Sequence, residues 1–220
     1  LDVDRLAAIL EPGGEFSRHI SGFEHRSQQV EMLKSVAEAF SRGDHLMVEA
    51  GTGTGKSLAY LIPAACWAIQ NGERGVISTN TIALQDQLMQ KDIPDLIQAL
   101  DLDLRAAVLK GRGNYLCPRR LTLMRHRQLE SVDELRILAK VLVWLHQGGN
   151  GDRAEINLNG PVERLIWSRI SAEDEGCKLE TCLKRTGGGG PVFKARTESE
   201  GSHLLIVKQA PLLAGAGRPP

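Results

Sequence analysis

The stretch Glu49-Ala50-Gly51-Thr52-Gly53-Thr54-Gly55-Lys56-Ser57 decides how the rest of the chain is read. Apart from Ala50 at the first glycine position, it satisfies the phosphate-loop pattern G-x-x-x-x-G-K-[ST]. Glycines let backbone N–H groups turn inward around phosphate oxygens, where larger side chains would clash. Gly51, Thr52, Gly53, Thr54, Gly55, Lys56 and Ser57 are therefore the candidate nucleotide-binding residues. Lys56 would face the β- and γ-phosphates and the Ser57 hydroxyl would bind Mg²⁺, which makes these two the candidate catalytic residues. A helix following the loop would offer its N-terminus to the same anion. A Gly/Thr-rich surface loop matching by chance would need neither a strand before it nor a helix after it.

Both neighbours fit the phosphate loop. His45-Leu46-Met47-Val48 is short, apolar and bounded by turn signals, as a buried parallel strand would be. After Ser57, Leu58, Leu61, Ile62, Ala65, Cys66 and Ile69 recur on one helical face, and Pro63 is expected to kink that helix. Upstream, Leu33, Val36, Ala37 and Phe40 predict an amphipathic helix over 28–40, ended by Arg42-Gly43-Asp44. Downstream, Gly75-Val76-Ile77-Ser78 predicts a second strand, leading through Thr79-Asn80-Thr81 into a helix with Leu84 and Leu88 on one face. Arg105 to Leu109 reads as a third strand. Alternating strands and helices give an α/β fold, a parallel sheet with helices on both faces.

The 220 residues allow one large domain or one domain with an insertion. At 42% hydrophobic and 25% charged residues, the composition excludes a disordered chain. The longest apolar run, Leu58 to Ile69, is shorter than the ~20 residues of a bilayer span, and no basic start with an apolar core marks a signal peptide. No membrane partner is expected. Four cysteines are too few for a disulfide framework at this length, so a reduced, cytoplasmic protein is expected. Leu1 and the closing Gly-Ala-Gly-Arg-Pro-Pro lead us to expect cuts in a longer protein.

The 27 Lys and Arg residues balance 27 Asp and Glu, which argues against a uniformly basic nucleic-acid coat. The balance is uneven, because Arg105 to Arg127 holds seven basic and no acidic residues, leaving 20 basic against 27 acidic elsewhere. Such a stretch suits a channel following one nucleic-acid strand, or salt bridges to acidic neighbours. Aromatics are only 4%, so base stacking would rest on few side chains, with Tyr115 the best placed.

Five blocks, in order along the chain, resemble the iron–sulfur DNA helicases of helicase superfamily 2, the DinG/XPD-like group. They are Arg26-Ser27-Gln28-Gln29; the phosphate loop with Leu58 to Pro63; Ser78 to Leu88; Leu109 to Cys117; and Cys177 and Cys182 with Phe193-Lys194-Ala195-Arg196. The resemblance implies a RecA-like motor domain over 1–109, an iron–sulfur-type helical insertion over 110–196, and a return strand over 197–220. It implies ATP and Mg²⁺ as cofactors, Gln29 at the adenine-reading position, and Thr79, Thr81, Lys110, Arg112 and Tyr115 as contacts to single-stranded or forked DNA. It also implies coupling of ATP hydrolysis to translocation on one strand, with 5′→3′ polarity, and a second motor domain of the same chain. Read singly, these residues have other roles. Gln29 would be a polar residue at a helix start, Thr79 and Thr81 would be helix caps, and Lys110 and Arg112 would be solvated charges.

Cys66 falls on the apolar stripe after the phosphate loop and reads as a core thiol. Cys117, Cys177 and Cys182 remain, the last two five positions apart. The resemblance implies that these three hold a 4Fe-4S cluster with a fourth cysteine near Gly190-Pro191-Val192-Phe193, where the chain has Gly187-Gly188-Gly189-Gly190. Three thiolates could hold a cluster with one exchangeable iron, bind zinc with an outside ligand, or hold nothing. Between Cys117 and Cys177, Leu135, Leu138, Leu142 and Leu145 predict a helix broken at Gly148-Gly149-Asn150-Gly151-Asp152.

An ATP-driven helicase needs an acidic motif, of the type Asp-Glu-x-His, to hold Mg²⁺ and position water. Asp133-Glu134 lies in the predicted helix and Asp174-Glu175 lacks a preceding strand, so the motif is expected after a strand over His203 to Val207, beyond this chain. The reading is then the N-terminal part of an ATP-dependent DNA helicase, with negligible turnover by itself. Two other classes are a non-catalytic nucleotide-, DNA- or metal-binding module with a relic phosphate loop, and a small P-loop phosphotransferase.

Overall fold

The computed structural model describes residues 1–173, 179–186 and 189–208. The chain divides into two compact units, Leu1–Val108 with the described residues from Gly201 onward, and Leu109–Glu200.

In the first unit, α1 (Val3–Ala8) starts at Asp2, whose carboxylate accepts the Arg5 N–H at 3.1 Å, and α2 (Glu15–His19) follows. α3 (Ser27–Arg42) buries Val30, Leu33 and Ala37 and ends at Gly43, whose left-handed φ of 71° closes the helix. α4 (Lys56–Asn71) starts out of the phosphate loop and runs through Pro63 without interruption. Its buried face is rich in small residues, Ala59, Ala64, Ala65 and Ala68 beside Leu61 and Ile62, which lets neighbouring elements approach closely.

β1 (Gly75–Thr79) leads to α5 (Ile82–Gln87), a π-turn at Leu88–Asp92, α6 (Ile93–Leu100) and β2 (Ala106–Leu109). β3 (Leu204–Lys208) returns at the end of the described chain and takes the central place, in the order β1-β3-β2. β1 and β3 run parallel from Gly75↔Leu204 to Thr79↔Lys208. Leu204, Ile206 and Val207 are buried, as expected for a central strand covered on its faces. This is an α/β unit, a three-stranded parallel sheet flanked by helices of the RecA-like kind.

Two expectations for this unit fail. His45-Leu46-Met47-Val48 forms no strand, and Met47 is 98% exposed. A strand exists only by pairing its backbone, and none of the described strands pairs with this segment. Leu84 and Leu88 do not share a buried face, since Leu84 is 44% exposed and Leu88 only 2%. The strand expected over His203 to Val207 is present one residue later as β3, with His203 just before it, where its Nδ1 accepts the Arg105 N–H at 3.1 Å.

The second unit is helical: α7 (Pro118–His126), α8 (Val132–His146), α9 (Pro161–Ile170), α10 (Leu179–Thr186) and α11 (Pro191–Glu200). Two antiparallel bridges, Tyr115↔Asp152 and Leu116↔Ser171, tie its connecting segments together. Its core gathers Leu121, Ile137, Val141, Leu158, Ile166 and Trp167. Of the predicted stripe on α8, Leu138 is in this core and Leu142 and Leu145 pack against it beside Ile137 and Val141, while Leu135 is exposed. Glu134 in the first turn of α8 is itself buried. Its carboxylate accepts the Glu130 N–H at 2.9 Å, Arg127 at 2.6 Å and Arg169 at 2.6 Å. Buried carboxylates need such partners. The Glu130 N–H is the largest cause holding this carboxyl below the usual range, with the two guanidiniums adding to it.

Among the described residues, no helix is long and apolar enough to cross a membrane.

Candidate nucleotide site

Lys56 and Ser57 are the first residues of α4, so both side chains start where unpaired helix N–H groups concentrate positive potential. Gly53 and Gly55 have φ of 82° and 77°, a left-handed region that non-glycine residues rarely occupy. The Thr54 hydroxyl donates to Gly51 O at 3.0 Å and holds the turn closed. Lys56 Nζ donates to Ala50 O at 2.9 Å and to Gly51 O at 2.6 Å. The ammonium is thus folded onto the carbonyls of its own loop, at the mouth of the cradle.

Gln29, in the first turn of α3, is only 2% exposed. Its Nε2 donates to Gly55 O at 2.8 Å, which brings residues 26 positions apart together. Its Oε1 is buried with no hydrogen-bond partner, a strong acceptor waiting for a donor. Phe23, Arg26, Gln29, Gly55, Lys56 and Ser57 line one cleft of about 730 Å³.

The far wall of that cleft was not visible in the sequence. It comes from the end of α5, the π-turn and α6, through Gln87, Lys91, Asp92 and Asp95. Asp92 is 8% exposed, and Gln87 Nε2 donates to its Oδ2 at 3.2 Å. Burial pushes the Asp92 carboxyl up from the usual range, while Gln87 and Ser57 pull it back. Burial also pushes the Tyr60 phenol up, and Ser57 partly offsets that. The one local signal was Pro94, placed at the start of a helix where its missing N–H does no harm.

The candidate strand contacts have intramolecular roles. Thr79 is buried and its hydroxyl donates to Thr81 O at 3.2 Å. The Thr81 hydroxyl accepts the Leu84 N–H at 3.2 Å and caps α5. Lys110 is buried, with Nζ 2.7 Å from Asp152 Oδ2, so the salt-bridge alternative is realised for this residue of the basic stretch. The Tyr115 hydroxyl accepts the Lys110 N–H at 3.0 Å, and burial raises its phenol pKa. Neither Lys110 nor Tyr115 presents a surface to a nucleic acid in this arrangement. Arg112 is half-buried in a 3₁₀ turn, Arg112–Asn114, anchored by Trp167 Nε1 donating to Gly113 O at 2.7 Å.

Of the thiols, Cys66 is half-buried, and burial raises its pKa, as suits an inert core group. Cys117 at the start of α7 and Cys182 in α10 are both buried. Cys177 lies outside the described residues. A Cβ on Gly190 would meet Pro118 Cδ at 3.2 Å and Cys182 Sγ at 3.3 Å. Position 190 therefore stands beside the Cys182 thiol but carries no ligand, and a four-thiolate cluster does not fit this set. Among the described residues, no three His, Cys, Asp or Glu side chains converge as metal ligands.

The DEAD/DEAH box helicase family matches residues 27–128. The 3′-5′ exonuclease DinG of Bacillus subtilis is 36% identical over 94% of this chain. The ATP-dependent DNA helicase YoaA of Haemophilus influenzae is 40% identical over 93% of it, and the ATP-dependent helicase DinG of Mycobacterium tuberculosis 39% over 89%. The chain spans 22% of the length of the first and 31% of the other two.

Proposed function

We propose, on the premise that the chain belongs with the DinG-like helicases of the DEAD/DEAH box type, that it is the nucleotide-holding part of an ATP-dependent DNA helicase motor. The observation that carries this reading is the Gln29 Nε2 to Gly55 O bond, which closes α3 and the phosphate loop around one cleft. On ATP binding, Lys56 would exchange the carbonyls of Ala50 and Gly51 for phosphate oxygens. The Ser57 hydroxyl would take Mg²⁺, which supplies charge neutralisation at the transferring phosphate. The free Oε1 of Gln29 would accept from the amino group of adenine.

In the whole protein, hydrolysis would drive 5′→3′ movement along single-stranded or forked DNA and separate the duplex, in the cytoplasm. A second motor domain of the same chain would close on the nucleotide. Thr81 and Arg112 would contact the strand directly, with Thr79, Lys110 and Tyr115 supporting them from below the surface. The thiols Cys117, Cys177 and Cys182 would form a metal site one ligand short, and no step depends on it.

Titration calorimetry of ATP with and without single-stranded DNA tests the reading. ATP should bind, and Lys56→Ala should weaken it by roughly tenfold or more, since a hydrogen bond to a charged group contributes ~1.5–3 kcal/mol. Failure to bind any nucleotide would leave the loop a relic. Turnover indifferent to DNA would point to a phosphotransferase. The chain alone should turn over negligibly, and DNA-stimulated hydrolysis abolished by Lys56→Ala would refute that.

A further inference from the structure

A serine hydroxyl that ligates a cation must aim a lone pair at the metal and give its hydrogen to another acceptor. Ser57 has two polar neighbours that could take that hydrogen, Asp92 among the residues lining the cleft and Tyr60 outside that lining. Tyr60 carries a hydroxyl, which donates as readily as it accepts, whereas the Asp92 carboxylate only accepts when ionised. Asp92 lines the same cleft as Lys56 and Ser57, although it lies 35 positions beyond Ser57 in the chain. It closes the π-turn Leu88–Asp92, a deviation from regular helix that recurs at functional sites. Burying a carboxylate is unfavourable without partners, yet Gln87 engages only Oδ2, at 3.2 Å.

We propose that Asp92 is a positioning residue for the Ser57 hydroxyl, fixing the rotamer in which Ser57 presents its oxygen to Mg²⁺, with Gln87 holding Asp92 in place. The proposal rests on the phosphate-loop reading of the site. It also gives the π-turn a purpose, because a regular helix over 82–100 would place residue 92 at a different angle about the axis. The turn continues the helix that Thr81 caps, so movement of that helix would be felt at Ser57.

The test is ATP affinity of the 220-residue chain by calorimetry, in Mg²⁺ and in EDTA, for wild type, Asp92→Ala, Asp92→Asn and Gln87→Leu. Mg²⁺ should tighten wild-type binding. Asp92→Ala should lose about tenfold of that gain, as expected for a hydrogen bond to a charged group. Asp92→Asn keeps one acceptor oxygen and should lose about threefold, while affinity in EDTA stays within about twofold for every variant. If Asp92→Ala does not fold, as circular dichroism would reveal, Asp92→Asn and the exposed Gln87→Leu carry the test. Equal Mg²⁺ gains in wild type and variants overturn the proposal alone, as does equal weakening with and without Mg²⁺, which marks a merely structural role. A wild type that binds no ATP overturns the phosphate-site reading and this proposal with it.

Discussion

Replacing Gly55 by alanine tests the loop geometry most directly, with Gly53 as an internal control. Both positions are left-handed, so either alanine incurs roughly 1–2 kcal/mol of backbone strain. They differ in what the new methyl meets. At Gly53 nothing lies within 4 Å of the Cβ position, whereas at Gly55 it falls 2.1 Å from Gln29 Nε2 and 2.8 Å from Gln29 Cδ. Gly55→Ala must therefore push Gln29 aside and break its 2.8 Å bond to the Gly55 carbonyl. Because Oε1 already lacks a partner, the displaced and buried amide loses its only hydrogen bond. An unsatisfied buried polar group costs ~1–3 kcal/mol.

Gly55→Ala should then be less stable than Gly53→Ala by about 1–3 kcal/mol, although the strain is common to both. At roughly 2–4 °C per kcal/mol for a chain of this size, the melting gap is roughly 2–12 °C, readable by far-ultraviolet circular dichroism. The double variant Gln29→Ala/Gly55→Ala removes the obstacle and should show a favourable coupling in a double-mutant cycle. ATP affinity should follow the same order, lowest for Gly55→Ala. Coincident melting of the two single variants, or purely additive effects in the cycle, would refute the geometry assigned to Gln29.

Three further outcomes are expected. Gly190→Cys, at a position without left-handed strain and 3.2–3.3 Å from Pro118 and Cys182, should take up iron and sulfide anaerobically and show cluster absorbance that wild type lacks; equal spectra would count against the thiol geometry. The Glu134 carboxyl is lowered in the folded state, so its contribution is fully present above the ordinary value near 4.5 and is lost as pH falls through the lowered one. Melting of the second unit should decline more steeply with acid in wild type than in Glu134→Gln, and parallel profiles would contradict this. Trp167→Phe removes the donor to Gly113 O at 2.7 Å and should destabilise the second unit by about 1–3 kcal/mol in urea unfolding; an unchanged midpoint would mean that water replaces the indole.

The phosphate loop was legible because its chemistry is local: three glycines, a lysine and a serine specify a turn and a helix start without reference to the rest of the chain. β1, β2 and β3 were legible as short apolar runs between turns, each within a residue or two of its observed span. The same rule failed at His45-Leu46-Met47-Val48, since an apolar run says that a segment can pair and not that a partner lies beside it. Lys110 shows the converse. Its charge was plain, but its partner Asp152 lies 42 positions away across the Tyr115↔Asp152 bridge, and only the fold brings them together.

The hidden wall of the candidate nucleotide cleft has a physical cause of its own. Periodicity assigns faces by counting 3.6 residues per turn, and the count holds only while each N–H bonds four residues back. At Leu88–Asp92 the bonding lengthens by one residue, and every side chain that follows shifts in phase relative to α5. No composition rule marks such a turn, because it is set by what the helix packs against on either side. Here α5 and the π-turn both lie against other elements of the first unit, and the two packings need not share a period. Asp92 reaches the cleft as a result, so the residue we assign to Ser57 is one that a regular helical reading of the same sequence would have turned away.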